Sequence, residues 1–339
     1  MAKIIWAGNT FFAPCLTDLG HEVIYINYPA GSVLRWEDLP AACRSGAPDL
    51  FVLGDVSAPP FILGVEAFPC LTCFYCVDSH LHSWYPRYAQ AFDFCLVSLK
   101  DHLPLFSSAT GMHLPQDRVV WCPPYALRKI TATEQTRASP KNWDILFVGK
   151  VDPRVNPERV AFLQKLKRII PSLDWRSGDF RKFFTEAKLV LNHCIAGDLN
   201  FRTMEALACG SCLLTPNIGH GLQELFTDGE DLFIYNPEDL PALGGLVRQL
   251  LQNPALCAKV AASGLQKVNA GHLGEHRALL LDRIWRKQLQ GNNATQIVQN
   301  RLARKADIHA RYLKLIYLLF AESMELPALR QAYLAAAKT

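Results

Sequence analysis

Leu189 to Glu224 read LVLNHCIAGDLNFRTMEALACGSCLLTPNIGHGLQE, and the order of residue types in this stretch decides the architecture. An apolar run from Lys188 to Asn192 gives way to a Gly/Asp/Asn loop, and a short helix opens near Asn200 and stops at Gly210. A second apolar run, Ser211 to Thr215, then ends in a turn carrying Gly219 and Gly221. Strand, loop, helix, strand, loop, helix is the repeating unit of a parallel sheet, in which strand carboxyl ends and helix amino ends meet at one edge and form a ligand crevice. Phosphate suits that edge, because free helix N–H groups and the aligned peptide dipoles both favour an anion.

Asn200 is placed as the N-cap and Arg202 in the first turn, so backbone N–H groups and a guanidinium face an anion together. Glu205, one turn further on, is positioned to accept two hydrogen bonds from a ribose diol, the role of an acidic residue in dinucleotide sites. The structural alternative is that Glu205 complements the helix dipole and pairs with Arg202 at i, i+3.

The run Asn200, Arg202, Glu205, Ala206, Ala208, Cys209, Gly210, followed by Leu213 to Thr215 and by Gly219, Gly221, Leu222 and Glu224, resembles the nucleotide-sugar-binding signature of GT-B glycosyltransferases. Its N-x-R-x-x-E-A-x-A-C-G form is similar to the CgeB-like (spore maturation protein) branch of the group-1 glycosyltransferases. FVGK at 147–150, LNH at 191–193, LFTDGED at 225–231 and the pair His272 and Arg277 extend the resemblance over roughly residues 143–285. One departure is Gly197, which stands where many retaining relatives carry a second Glu, eight residues before the ribose-binding one.

The resemblance implies an α/β, GT-B-like fold, two Rossmann-like parallel-sheet domains facing a cleft, and helical spacing beyond the region of resemblance adds a C-terminal helical tail. Residues 1–140 form the acceptor-side domain, 141–285 the nucleotide-sugar-binding domain, and 286–339 the tail. The implied reaction moves a sugar from a nucleoside-diphosphate sugar, UDP- or GDP-linked and bound as substrate, to a hydroxyl acceptor on a glycan, protein or small molecule. It needs neither cofactor nor metal, because protein dipoles and cations meet the charge on the leaving group. Two alternatives remain open: a non-catalytic scaffold of the same fold that binds a glycan or a partner protein, and a sugar-nucleotide epimerase.

Composition agrees with a folded enzyme. The 339 residues suffice for about two domains with buried cores. Half are hydrophobic and 19% charged, which excludes disorder as the organising state. A net charge of +4 is small for this length and argues against a nucleic-acid partner. The opening MAKIIWAGN reads as a buried strand and not as a secretory signal, and no apolar run reaches the ~18 residues of a membrane span, so a cytoplasmic location is expected.

The first domain begins with a strand from Ile4 to Ala7, a loop at Gly8 whose lack of a side chain admits a ligand close to the backbone, a helix ending at Gly20, and a strand from Glu22 to Ile26. Leu50 to Leu53, Leu71 to Val77 and Phe94 to Ser98 continue the sheet. Asp78 and His80 follow one of these strands directly, at the ligand edge, as candidate catalytic groups for an acceptor hydroxyl or for the donor. His82 is assigned to a solvated loop. Of eleven cysteines, Cys70, Cys73 and Cys76 mimic a cluster-binding run, but the period of two in a strand places Cys73 on the opposite face from the other two, and ligands of one metal must converge.

Pro123 to Asn142, rich in Pro, Thr and charge, reads as the interdomain linker. The second domain opens with Trp143 to Val148 and then Gly149 and Lys150. Lys150 is a candidate for neutralising a diphosphate, Arg154 an ordinary surface charge at least as readily, and Arg202 the strongest cation of the three and a candidate catalytic group. In the tail, Ile297, Val298, Leu302, Ile308, Tyr312, Leu315, Ile316 and Leu319 recur at mostly helical spacing among arginines and lysines. This stripe packs on its own domain or, as a basic amphipathic helix, touches a membrane surface, a partner or a second copy.

Overall fold

The computed structural model describes residues 1–27, 31–46, 48–127, 140–289 and 292–338. Contacts divide the chain into two compact units, Met1–Pro123 with Arg277–Thr339, and Pro124–His276. Residues 128–139 of the expected linker lie outside the described residues.

The first unit holds six parallel strands, β1 (Lys3–Gly8), β2 (Glu22–Ile26), β3 (Leu50–Gly54), β4 (Leu71–Cys76), β5 (Phe94–Val97) and β6 (Val119–Trp121), in the order β2-β1-β3-β4-β5-β6. Ile4 pairs with Val23 on one side and Leu50 on the other, and Cys73 pairs with Val52 and Phe94. Every residue of β3, β4 and β5 is buried, as expected for central strands covered on both faces. Cys70, Cys76 and Cys95 join the hydrophobic cluster on one side of this sheet, and Cys73, also buried, falls outside that cluster. Burial pushes the Cys70 thiol up to about 12. These thiols behave as small apolar side chains.

The tail completes this unit and is not a separate body. Ile308, Leu313, Ile316, Tyr317 and Tyr333 belong to the same cluster as Ile5, Phe51 and Phe74. Arg301, one of the cations interspersed in the stripe, is 3% exposed; its Nε donates to Asp93 Oδ1 at 3.0 Å and its terminal nitrogens to the carbonyls of Val65, Phe68 and Cys70 at 2.7, 2.9 and 2.6 Å. The expected stripe also changes phase. A π turn over His309–Leu313 adds a residue to one helical turn, so the buried positions become Leu313, Ile316, Tyr317 and Ala321, while Leu315 and Leu319 are 53% and 54% exposed.

The second unit is a five-stranded parallel sheet, β7 (Trp143–Val148), β8 (Leu173–Arg176), β9 (Ala187–Leu191), β10 (Leu213–Pro216) and β11 (Phe233–Tyr235), in the order β11-β10-β9-β7-β8. The edge strands β8 and β11, like β6, are three or four residues long, too short for an alternating pattern to be read from the chain. The helix Phe201–Ala208 starts where expected: Asn200 has extended backbone and its side chain accepts from the Thr203 N–H at 3.3 Å. Gly210, with φ +66°, takes the left-handed conformation that ends it. Buried Thr203, Met204, Ala206, Leu207 and Ala208 anchor it, and Gly264 in the helix Pro254–Gly271 lies so close that an added Cβ would meet the Leu207 side chain at 2.7 Å.

Among the described residues, no helix is long and apolar enough to cross a membrane.

Candidate functional site

At the carboxyl edge of the second sheet three basic side chains converge. Gly149 directly follows β7, and a Cβ placed there would meet Arg202 Nη1 at 3.0 Å and the Phe147 ring at 3.0 Å, so the guanidinium lies over a residue that has to be small. Arg202 Nε stands 3.6 Å from Glu205 Oε2, an ion pair too long for a hydrogen bond, and that Nε is buried with no hydrogen-bond partner. The i, i+3 pairing considered from sequence therefore exists, and it leaves donor capacity over. Burial pushes the Glu205 carboxyl above the usual carboxylate range, and Arg202 opposes that shift.

Arg159, in the first turn of the helix Pro157–Ile169, stacks over the Phe147 ring at 5.3 Å and donates from Nη1 to the Lys150 carbonyl at 3.1 Å. Its Nε is also buried and unpartnered, and burial first, then the charge of Arg202, lowers its pKa. His193, just past β9, lies with its ring 4.2 Å from that of Phe162 and its Nδ1 buried without a partner. Burial, reinforced by Arg159, pushes it down to about 4, so the ring is neutral at pH 7. Three buried nitrogens without partners in one place call for an explanation, since each such group costs about 1 to 3 kcal/mol, more when charged. An anion with several oxygens, a diphosphate above all, would satisfy them together.

The loops around this cluster are tied inward. Asn192, at the end of β9, donates from Nδ2 to Asn200 Oδ1, Thr203 Oγ1 and Thr215 Oγ1 at 3.1, 3.2 and 3.2 Å, and its carbonyl accepts from Tyr235 Oη at 2.6 Å. Asn200 Nδ2 donates back to Asn192 Oδ1 at 3.3 Å and to Cys194 Sγ at 3.2 Å. Asn200 is thus a cap and a loop anchor, with its amide engaged by the protein itself. Gly219 and Gly221 form the turn after β10; Gly221, with φ +84°, and His220, with φ +57°, are consecutive left-handed residues before the turn of helix Leu222–Leu225. The Lys150 side chain is exposed, and Arg154, 88% exposed at its side chain, pairs with Asp152 on the surface.

In the first unit, Asp78 and His80 follow β4 as expected. Their loop is held by a residue that sequence reasoning did not single out: Asp55, 3% exposed, accepts from the N–H groups of Val77 and Asp78 at 2.8 Å each and from Tyr85 Oη at 2.5 Å. Burial raises the Asp78 carboxyl, and a hydrogen bond from Ser57 counters that shift. His80 has a buried Nδ1 without a partner and lines a cavity of about 470 Å³ with Ser79, Arg87 and His102. His82, in the loop after β4 and half-buried, bonds Ser57 Oγ through Nε2 at 2.9 Å near the surface. Gly8, with φ +87°, is required by its own chain: a Cβ there would meet the Gly54 carbonyl oxygen at 2.0 Å. Arg159 and Asp55 announced themselves only through positions after strand ends; His193 was visible in the LNH run.

Residues 148–282 match the family described as Glycosyl transferase-like. The fold is shared with an α,α-trehalose-phosphate synthase (UDP-forming) from Burkholderia vietnamiensis, at TM-score 0.62 and 11% identity over 87% of this chain and 99% of that one. It is also shared with Anabaena HepE in complex with UDP and glucose, at TM-score 0.58 and 12% identity over 85% and 100%. The pneumococcal O-GlcNAc transferase GtfA in complex with UDP and GlcNAc matches at TM-score 0.54 and 12% identity over 72% of this chain, which spans 57% of the length of GtfA. No curated protein matches the chain. The fold is therefore that of the GT-B structures, and the stretch that matches the glycosyl transferase-like model lies mostly in the second unit and includes Gly149, Arg159, His193 and Arg202.

Proposed function

We propose that the chain is a CgeB-like glycosyltransferase that moves a sugar from a UDP- or GDP-linked donor to a hydroxyl acceptor. The observation that carries this reading is the gathering of Arg159, His193 and Arg202 at the carboxyl edge of the second sheet, Arg202 over Gly149 and Arg159 over Phe147, each with a buried nitrogen that has no hydrogen-bond partner. In this reading Arg202 and Arg159 hold the diphosphate, and they gain most when the glycosidic bond breaks and negative charge collects on the β-phosphate. Two guanidiniums supply the charge that a divalent cation brings in metal-dependent transferases, so no metal is called for. Neutral His193 offers a further hydrogen bond without adding charge, and Glu205 receives the ribose hydroxyls. Gly219 and Gly221 let the backbone of their turn approach the donor, and Lys150 adds long-range positive charge. Asp78 and His80 serve the acceptor hydroxyl or the donor sugar, with Asp55 as their positioning residue. A reducing cytoplasm suits the free thiols.

Calorimetric titration with UDP and GDP, followed by assay of nucleoside-diphosphate release from a panel of nucleotide sugars, tests the proposal. Saturable binding that is lost in Arg159→Ala/Arg202→Ala supports it; a folded protein that binds neither nucleotide refutes it.

A further inference from the structure

The first unit contains a second cavity, of about 380 Å³, lined by none of the residues assigned a role above. Arg35, Trp36, Glu37, Glu66, Lys305 and His309 line it. Glu66 sits in the turn Val65–Ala67 that leads into the amino end of β4, whereas Asp78 and His80 follow the carboxyl end of the same strand. The cavity therefore belongs to the opposite edge of the sheet from the groups proposed to act in transfer.

Its chemistry is unusual for a structural void. Glu66 is 7% exposed and His309 8%, and Glu66 Oε1 lies 3.4 Å from His309 Nδ1. Glu66 Oε2 and His309 Nε2 are both buried without a hydrogen-bond partner. A carboxylate oxygen left so is costly, and a buried polar pair bordering an open cavity is the signature of a site completed by something else. His309 also opens the π turn, a helical irregularity that is rare and concentrated at functional sites. The volume falls within the range of small-molecule sites, ~300 to 1,000 Å³.

The lining selects the ligand class. Arg35 and Lys305 balance Glu37 and Glu66, so neither a strongly anionic nor a strongly cationic guest is favoured. Donors and acceptors share the lining, and half-buried Trp36, its ring tilted at 59° to that of Phe68 with centroids 5.1 Å apart, adds a flat apolar ring to it. A ring that carries hydroxyls on its rim and C–H groups on its face meets all of these at once. We infer that this cavity is an accessory binding site for a neutral, hydroxyl-rich ring, a single sugar unit, with Glu66 and His309 taking its hydroxyls and Trp36 its face. The inference is independent of the transfer reaction proposed above.

Ligand-observed saturation-transfer NMR with glucose, galactose and mannose as probes tests it, with UDP affinity and thermal midpoint measured on every variant. Glu66→Gln exchanges an acceptor oxygen for an amide and should weaken binding of the best hexose roughly tenfold, the worth of one charge-assisted hydrogen bond. Ala306→Trp, at an exposed position of the cavity wall, should block the site while leaving the fold and UDP affinity unchanged. A hexose affinity reduced about tenfold in Glu66→Gln and a signal lost in Ala306→Trp, with the thermal midpoint unchanged in both, support the site. Overturning results are no signal for any hexose, a signal that survives both substitutions, or saturation of the cavity by ethanolammonium in place of hexoses.

Discussion

Replacing Arg202 by alanine separates a structural from a chemical role for the cation. Its visible partner is Glu205, at 3.6 Å between partly exposed side chains (27% and 22%), so the pair contributes less than about 1 kcal/mol to folding. If pairing were its whole purpose, Arg202→Ala would cost little stability and no turnover. The buried, unpartnered Nε and the close approach to Gly149 imply the opposite balance. Loss of one preorganised electrostatic donor at a developing oxyanion costs about 2.7 to 4 kcal/mol in the transition state, or ~10² to 10³ in kcat. Ground-state affinity for UDP should fall less, by roughly 1.5 to 3 kcal/mol. Arg202→Lys keeps the charge and loses the planar fork, so donor affinity should largely survive while turnover drops. The assay is steady-state release of nucleoside diphosphate with the best nucleotide sugar, paired with calorimetric UDP binding and a thermal midpoint for each variant. A higher donor KM with unchanged kcat would make Arg202 a uniform binder and refute the leaving-group role. No change in either would leave only the pairing with Glu205.

Glu205→Ala should weaken UDP binding by roughly 1.5 to 3 kcal/mol for each charge-assisted hydrogen bond lost, and unchanged calorimetric affinity in a folded variant would remove the ribose assignment. Arg301→Leu breaks a buried pair and strands Asp93, so denaturant unfolding should report a loss of about 3 to 5 kcal/mol; a loss below 1 would mean that the tail is held by its apolar contacts alone. His193 has a folded pKa of about 4 against an ordinary 6.5, so between these values the unfolded chain binds more protons and stability falls as the pH is lowered. The urea midpoint should follow that slope, and in His193→Gln this part of it should vanish; an identical pH profile in the variant would contradict the buried neutral ring. Nucleoside-diphosphate release should survive chelation, because Arg159 and Arg202 carry the charge, and abolition restored by adding a divalent cation would show otherwise.

The elements whose signals are local were legible in the chain. Strand alternation with helices, the Asn200 cap three residues before the Thr203 amide, the Gly210 stop and the long central strands each depend on a few neighbouring residues, so their reading survived folding. Arg202 and Glu205 were legible for the same reason, since one helical turn sets their spacing. Short edge strands were not, because three or four residues hold no period.

Tertiary structure alone decided the rest. Arg159 is an ordinary residue in sequence and His193 stood out only as part of the LNH run; the adjacency of β7 and β9 brings the helix after one strand against the loop after the other, where burial lowers both groups, helped by Arg202 at Arg159 and by Arg159 at His193. Gly8 illustrates the reverse case, a glycine whose freedom serves neighbouring backbone. The tail shows the clearest division: its sequence determined amphipathic helices, but their place in the first unit depends on Arg301 reaching Asp93 and on a π turn that moves the buried face by one residue. Hydrophobic periodicity states that a face will be buried, and contacts distant in sequence select which partner buries it.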